Sequence, residues 1–313
     1  MEQPFDPGIT QKFDGAIRRI INPDGSFNVR RRGRRLSDLH LYQLLVRLSW
    51  PAFLLVILLT FLGITVAFTG LYFAAGLGGL QGIPQGTPVH RFLQVFFFSV
   101  QTLTTVGYGS IAPRGIRVNV VASAEAMMGV LGFAFSAGLL YGRFARPTAR
   151  ILFSSRALIA PYRGGSSLQI RVANQRANAM VDIEATVVLM TVEGKGKEAR
   201  RAYAKLDLER STVFFLPLTW TIVHPIDSQS PLYGKTPQVL AAQAAEVLVL
   251  IRAFDDTFSQ VVHSRFSYRF DEILWGRRFL PAFHNDDDGR LILDLSKIHE
   301  TAEADVPDGA RGV

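Results

Sequence analysis

Thr102-Leu103-Thr104-Thr105-Val106-Gly107-Tyr108-Gly109-Ser110 sits inside a charge-free run, Phe92 to Pro113, and its reading decides the fold. The run opens as Phe92-Leu93-Gln94-Val95-Phe96-Phe97-Phe98-Ser99-Val100-Gln101, which suits a helix. Two glycines flanking Tyr108, with Pro113 beyond, cannot continue that helix. Longer apolar stretches stand on either side. Leu48 to Val89 holds no Asp, Glu, Lys or Arg, and Trp50 to Ala75 within it is dense in Leu, Val, Ile and Phe. That segment is long enough to cross a hydrocarbon layer of about 30 Å as a helix. Pro51 suits its first turn, and Trp50 and Tyr72 lie near its ends, where amphipathic aromatics favour the interface. Val118 to Gly142 carries one charge, Glu125, and is rich in Gly, Ala and Ser, which let helices pack closely in lipid. Irregular backbone at membrane depth is tolerated only when buried in protein or lining water. The expectation is an outer helix over 50–75, a re-entrant half-helix and extended loop over 91–109, and an inner helix over 116–145.

Across 313 residues the chain is 48% hydrophobic and 19% charged, and the two classes are segregated, as in a membrane segment joined to a soluble part. The absence of cysteine excludes a disulfide scaffold, thiolate metal sites and a cysteine nucleophile. The net charge of +8 is placed as orientation and lipid contact, with no nucleic-acid partner expected. Lys12, Arg18, Arg19, Arg30, Arg31, Arg32, Arg34, Arg35 and Arg47 precede the first span, and Arg143, Arg146 and Arg150 follow the second. Only Arg91, Arg114 and Arg117 lie between them, so both termini are expected in the cytoplasm of a multi-pass inner-membrane protein. Residues 1–35 are polar and contain no apolar signal stretch; they are expected to be a cytoplasmic segment. No Ser/His/Asp arrangement, phosphate loop or metal-ligand spacing sits on a suitable scaffold, which speaks against an enzyme. Gly194-Lys195-Gly196-Lys197-Glu198-Ala199 superficially matches a dinucleotide fingerprint, yet it falls between two strand patterns and reads as a hairpin loop.

The physics of Thr105-Val106-Gly107-Tyr108-Gly109 points to ion binding. Removing an ion's hydration shell in a low-dielectric site costs tens of kcal/mol unless other oxygens replace the water. A short strand supplies successive carbonyls, plus the Thr105 hydroxyl, if every oxygen points inward. That demands alternating backbone conformations, some cheap only for glycine, hence Gly107 and Gly109. Val106 and Tyr108 then point away from the axis and are expected to pack against the half-helix. One strand cannot surround an ion, so four copies must meet on an axis. The half-helix aims its partly negative carbonyl end at the pore centre. The pentapeptide is identical to the selectivity filter of potassium channels, with K+ held at Thr105, Val106, Gly107 and Tyr108 and no other cofactor expected.

Beyond the filter, the chain resembles the inward-rectifier potassium channel family, most closely its prokaryotic branch, from about Leu36 to Glu300. The matching stretches are Arg143-Phe144-Ala145-Arg146-Pro147, Trp220-Thr221-Ile222-Val223-His224-Pro225-Ile226-Asp227, Ser230-Pro231-Leu232-Tyr233-Gly234 and Asp271-Glu272-Ile273-Leu274-Trp275-Gly276. The resemblance implies a homotetrameric potassium-selective pore without a voltage sensor, and neither span carries repeated arginines. It also implies an interfacial slide helix over 36–49, where Leu41, Leu44, Leu45 and Leu48 recur at helical spacing. The family pattern places a bulky gate residue at Tyr141, the alternative there being an aromatic interface anchor, and a cavity residue at Phe133, where strongly rectifying relatives carry an acid. Without that carboxylate, strong polyamine or Mg²⁺ block through the site is not expected. The glutamate–arginine pair that many relatives place around the filter is replaced by Gln101 and Ile111. Glu125 is then a candidate brace behind the filter, and an intramembrane carboxylate is a functional candidate by default. Gly129 is either a bending point or a close-packing glycine. Arg34, Arg35, Arg143, Arg146 and Arg150 form a basic set suited to anionic phospholipids. The denser basic run of eukaryotic relatives is missing, since Thr148 and Ala149 follow the Arg-Pro pair.

From Ser154 onward the periodicity changes to two. Leu168–Val172, Ile183–Leu189, Arg201–Leu208, Val213–Val223, Val247–Phe254, Gln260–Phe270 and Leu291–Leu295 are predicted strands, which read as a cytoplasmic β-sandwich over 148–300. The resemblance implies that this sandwich is immunoglobulin-like and extends the pore into the cytoplasm. Asp255 and Asp256 fall near the family's narrow cytoplasmic constriction, where they read either as rings of carboxylates that concentrate cations or as part of a solvated loop. His224 and His263 read as structural. The tail, 301–313, is polar with Gly and Pro and reads as disordered.

Overall fold

The computed structural model describes residues 8–12, 19–30, 32, 41–145, 149–194 and 196–305, without the side chains of Arg47 and Lys197. The chain divides into two compact units, Arg32–Arg146 and a second built from Met1–Arg31 with Pro147–Val313.

The first unit is helical. Helix α1 spans Leu41–Arg47, α2 Trp50–Ala75, α3 Pro88–Leu103 and α4 Ile116–Phe144. Of the expected slide helix, residues 36–40 lie outside the described residues, and the observed helix stops at Arg47 because Ser49 is already the N-cap of α2. Leu41 and Leu44 remain exposed, an apolar face that its own chain leaves uncovered. Helices α2 and α4 are long and apolar enough to cross a membrane. Gly76, at φ 98°, ends α2 in a conformation that favours glycine. The half-helix α3 begins at Pro88, three residues before the expected Arg91. Thr87 is its N-cap, the Thr87 hydroxyl accepts from the His90 N–H at 3.3 Å, and Pro88 fills the first turn. Strands β1 (Leu80–Gln81) and β2 (Ala112–Pro113) pair antiparallel across the connections flanking α3.

The second unit is a β-sandwich. One sheet runs in the order β11-β10-β6-β7, with β8 also on β6: β6 is Met180–Glu193, β7 Arg200–Leu206, β8 Thr212–Phe215, β10 Glu246–Asp255 and β11 Gln260–Arg269. The other runs β12-β4-β5-β3, with β9 on β5: β3 is Ile151–Phe153, β4 Ala157–Tyr162, β5 Gly165–Asn174, β9 Thr219–Ile226 and β12 Ile273–Trp275. Their inward residues, among them Ile159, Leu168, Ile170, Ile183, Leu189 and Val249, form one buried core. Arg163 and Gly164, both at positive φ, turn β4 into β5 as a two-residue hairpin. The continuous strand expected over Val213–Val223 is two strands, because Pro217 has no N–H to donate to a ladder. Residues 194–199 join β6 to β7, with Glu193 opposite Arg200. A further helix, α5 (Pro237–Ala242), precedes β10.

Two boundaries differ from expectation. Residues 301–303 are not disordered: Thr301–Glu303 forms β16 and pairs antiparallel with β13 (Arg277–Phe279), near the hairpin of β14 (Phe283–Asn285) and β15 (Leu291–Leu293). Residues 306–313 lie outside the described residues. The polar N-terminal segment also joins the sandwich. Ile20 and Ile21 are buried against Val188, Met190 and Leu248, Arg19 pairs with Glu272 at 3.0 Å, and the Ile20 N–H donates to both carboxylate oxygens of Glu246.

Candidate functional site

The loop after α3 grows out of the helix stop itself. Thr104 caps α3, the Thr105 N–H donates to the Thr102 carbonyl at 3.0 Å, and the Val106 N–H donates to the Gln101 carbonyl at 2.9 Å. This is a Schellman cap with threonine at the left-handed position where glycine usually sits. Positive φ then recurs at every second residue: Thr105 at 60°, Gly107 at 53° and Gly109 at 81°. Such alternation turns successive carbonyls toward one side. The Gln101 carbonyl also accepts from the Gly107 N–H at 3.3 Å, so Gln101 steadies the loop through its backbone. Residues 104–110 are all exposed within the single chain. Within the single chain Val106 is 53% exposed and Tyr108 78% exposed.

Behind the loop lies a buried polar knot. Glu125 of α4, 0% exposed, accepts from the Tyr72 hydroxyl of α2 at 2.5 Å and from the Ser99 hydroxyl of α3. Ser99 Oγ also lies 3.2 Å from the Thr65 carbonyl, and Thr69 donates to that carbonyl at 2.8 Å. Ile111 is buried in the apolar cluster around this knot, beside Phe68, Val95 and Phe98. Gly129 packs against the last residue of α3: a Cβ there would overlap the Leu103 carbonyl oxygen. Lower on α4, Phe133 and Tyr141 are 78% and 76% exposed.

Of the expected lipid set, Arg34, Arg35 and Arg146 lie outside the described residues, and Arg150 is exposed. Arg143 has a different use. Its guanidinium donates to the carbonyls of Leu45 at 2.9 Å, Val46 at 3.1 Å and Leu48 at 2.8 Å, and it lies over the rings of Trp50 and Phe53. It caps the negative end of α1, and donors spent on carbonyls are not free for a headgroup. Gly142 beside it leaves room for the Tyr42 ring, whose hydroxyl would lie 2.5 Å from a Cβ.

In the sandwich, Asp255 is fully buried and does not line an open passage: its Oδ1 accepts from the N–H groups of Thr257 at 3.0 Å and Phe258 at 3.3 Å, capping the β10–β11 turn. Asp256 next to it is exposed. His224 is buried; its Nδ1–H donates to the Asp207 carbonyl at 2.5 Å and its Nε2 accepts from the Ser230 hydroxyl at 2.7 Å. Burial pushes its pKa down. Burial pushes Glu246 up, against the pull of its hydrogen bonds. His263 is exposed. Sequence reasoning missed the Arg143 cap and the Arg19–Ile21 docking, since neither follows a local pattern.

Known proteins match along nearly the whole chain. Residues 151–311 match the family described as inward rectifier potassium channel C-terminal domain, and residues 53–145 match the ion channel family. The inward rectifier potassium channel Kirbac3.1 of Paramagnetospirillum magnetotacticum is 40% identical over 290 residues, covering 91% of this chain and 96% of that one. The human ATP-sensitive inward rectifier potassium channel 11 is 30% identical over 301 residues, covering 90% and 76%. Two spans of sufficient length, a β-rich C-terminal half and these relatives agree: the chain is a membrane protein and an ion channel, not an enzyme, and it belongs to the inward rectifier potassium channel family, in its prokaryotic type.

Proposed function

We propose that four copies of the chain surround the loop 105–109 and conduct K+ passively across the cell inner membrane, with both termini in the cytoplasm. The observation that carries this reading is the alternation of positive φ at Thr105, Gly107 and Gly109 in a loop that its own chain leaves exposed. Carbonyls turned to one side of a strand replace a hydration shell only when copies close the ring. Tyr108, Phe133 and Tyr141, large side chains with little cover in one chain, support assembly into that ring. The cargo is K+, held at Thr105, Val106, Gly107 and Tyr108. Four Tyr141 rings converging at the inner end of α4 form a gate that closes by excluding water. Phe133, apolar at the cavity position, leaves polyamines and Mg²⁺ without a carboxylate to bind. Signals from the sandwich and from anionic phospholipids, met by Arg34, Arg35, Arg146 and Arg150, set the gate.

The test is K+ flux into liposomes carrying the purified chain. The expected result is K+-selective flux blocked by barium and lost in Gly107→Val, whose branched side chain is strained at φ 53°. Selective flux that survives Gly107→Val sinks the filter assignment. Strong voltage-dependent spermine block of the wild type, unchanged in Phe133→Asp, sinks the cavity assignment.

A further inference from the structure

Helix α3 meets α4 along a seam with two fixed points. The first is the hydrogen bond from the Ser99 hydroxyl to Glu125. The second is the contact of Gly129 with the Leu103 carbonyl, where even one methyl group would overlap backbone. Both pairs step by four residues in the same sense, Ser99 to Leu103 on α3 and Glu125 to Gly129 on α4, one helical turn apart. Ser99 and Glu125 are both 0% exposed and Leu103 is 6% exposed, so the seam is dry and a slipped register leaves one Glu125 oxygen without its α3 partner in an apolar surround. Leu103 is the last residue of α3, and Thr105, two residues on, opens the loop through the cap described above. The height at which the loop begins is therefore set where Leu103 touches Gly129.

We infer that Glu125 and Gly129 are positioning residues for ion selection: they lock the register of α3 on α4 and thereby hold Thr105 to Gly109 at their working depth and spacing. This rests on reading 105–109 as the filter and assigns to α4 the brace that the Gln101–Ile111 pair, lacking charge, does not supply. It also divides α4 mechanically. The part down to Gly129 moves with the filter, and bending belongs below it, at Gly132 and Gly138, which have nothing within 4 Å of a Cβ position. Gly129 is thus a packing glycine and not a hinge.

The experiment compares K+ with Na+ flux in liposomes for the wild type, Ser99→Ala, Gly129→Ala, Glu125→Gln and Thr65→Val. Ser99→Ala and Gly129→Ala are expected to conduct while losing about tenfold or more of the K+-over-Na+ ratio, since sites of this kind tolerate displacements of only about 0.5 Å. Glu125→Gln, which still accepts from Ser99, keeps most of the ratio. Thr65→Val removes a buried hydroxyl that donates to the Phe61 carbonyl of its own helix and keeps the backbone carbonyl beside Ser99, so it leaves the ratio unchanged. Should Gly129→Ala fail to assemble, Ser99→Ala, which removes a single hydroxyl, carries the test. A ratio unchanged in Ser99→Ala overturns the register lock, and so does a Thr65→Val ratio that falls as far as that of Ser99→Ala. A wild type without K+-selective flux overturns the functional reading itself.

Discussion

Thr105 stands in a conformation that β-branched residues avoid, at φ 60°, because it serves as helix cap and first member of the loop at once. The left-handed conformation costs such a residue about 1–2 kcal/mol. Thr105→Gly is therefore expected to leave the thermal midpoint of the purified channel unchanged or raised, while K+ flux falls with the lost hydroxyl. A midpoint lowered by several degrees would show that the threonine is not strained there. A second residue carries a pH effect. His224 is held neutral in the fold, with its pKa pushed below the ordinary 6.5 by burial, while the unfolded chain takes up the proton more readily. Stability from this group is complete above pH 6.5 and is lost as pH falls through that value toward the folded pKa. Glu246, pushed up by burial, acts in the opposite sense, favouring the fold at lower pH. The difference between wild type and His224→Gln isolates the histidine. Thermal melts between pH 7.5 and pH 5.5 are expected to converge for the two proteins as pH falls, and parallel melts would contradict it.

At the scale of elements, α1 is a seven-residue helix too short to stand alone, and its carbonyl end is satisfied by an arginine from α4, nearly a hundred residues away. Losing hydrogen bonds from a charged group costs about 1.5–3 kcal/mol. Arg143→Lys keeps the charge but not the planar fork that reaches three carbonyls and two rings, so it is expected to behave like Arg143→Gln. Both are predicted to change Trp50 fluorescence and lower the thermal midpoint. A lysine variant indistinguishable from wild type, with only the glutamine variant altered, would return Arg143 to the lipid-facing set. The apolar spans, the half-helix and most strands were legible because their periods are local: one run without charges, one alternation of two. The N-terminus of α3 was equally legible in Thr87-Pro88, a cap signal three residues before the assumed start. The split between β8 and β9 was written in Pro217. The docking of Arg19, Ile20 and Ile21 on the sandwich was not legible, since two isoleucines in a polar segment carry no period.

For the whole molecule, the apolar surface left open by one chain is the main quantity to account for. Tyr108, Phe133 and Tyr141 are all more than three-quarters exposed in the single chain, surface that a ring of copies would cover. Light scattering on the detergent-purified protein is expected to give four times the 34.7 kDa chain mass after subtraction of detergent. A monomer or dimer retaining K+-selective flux would remove the ring that the filter reading requires.

What the residues alone determined is everything that depends on neighbours along the chain. Hydrocarbon demands uncharged helices of fixed length, a ring of carbonyls demands glycine at alternate places, and a half-buried sheet demands alternation. Tertiary structure decided which groups meet across long separations. It spent Arg143 on the carbonyls at the end of α1, Asp255 on the amides of a buried turn, and set Gly129 against the Leu103 carbonyl at the end of α3. The physical reason is common to all three. A side chain's type states what partner it needs, and only the packing of distant elements states which partner it finds.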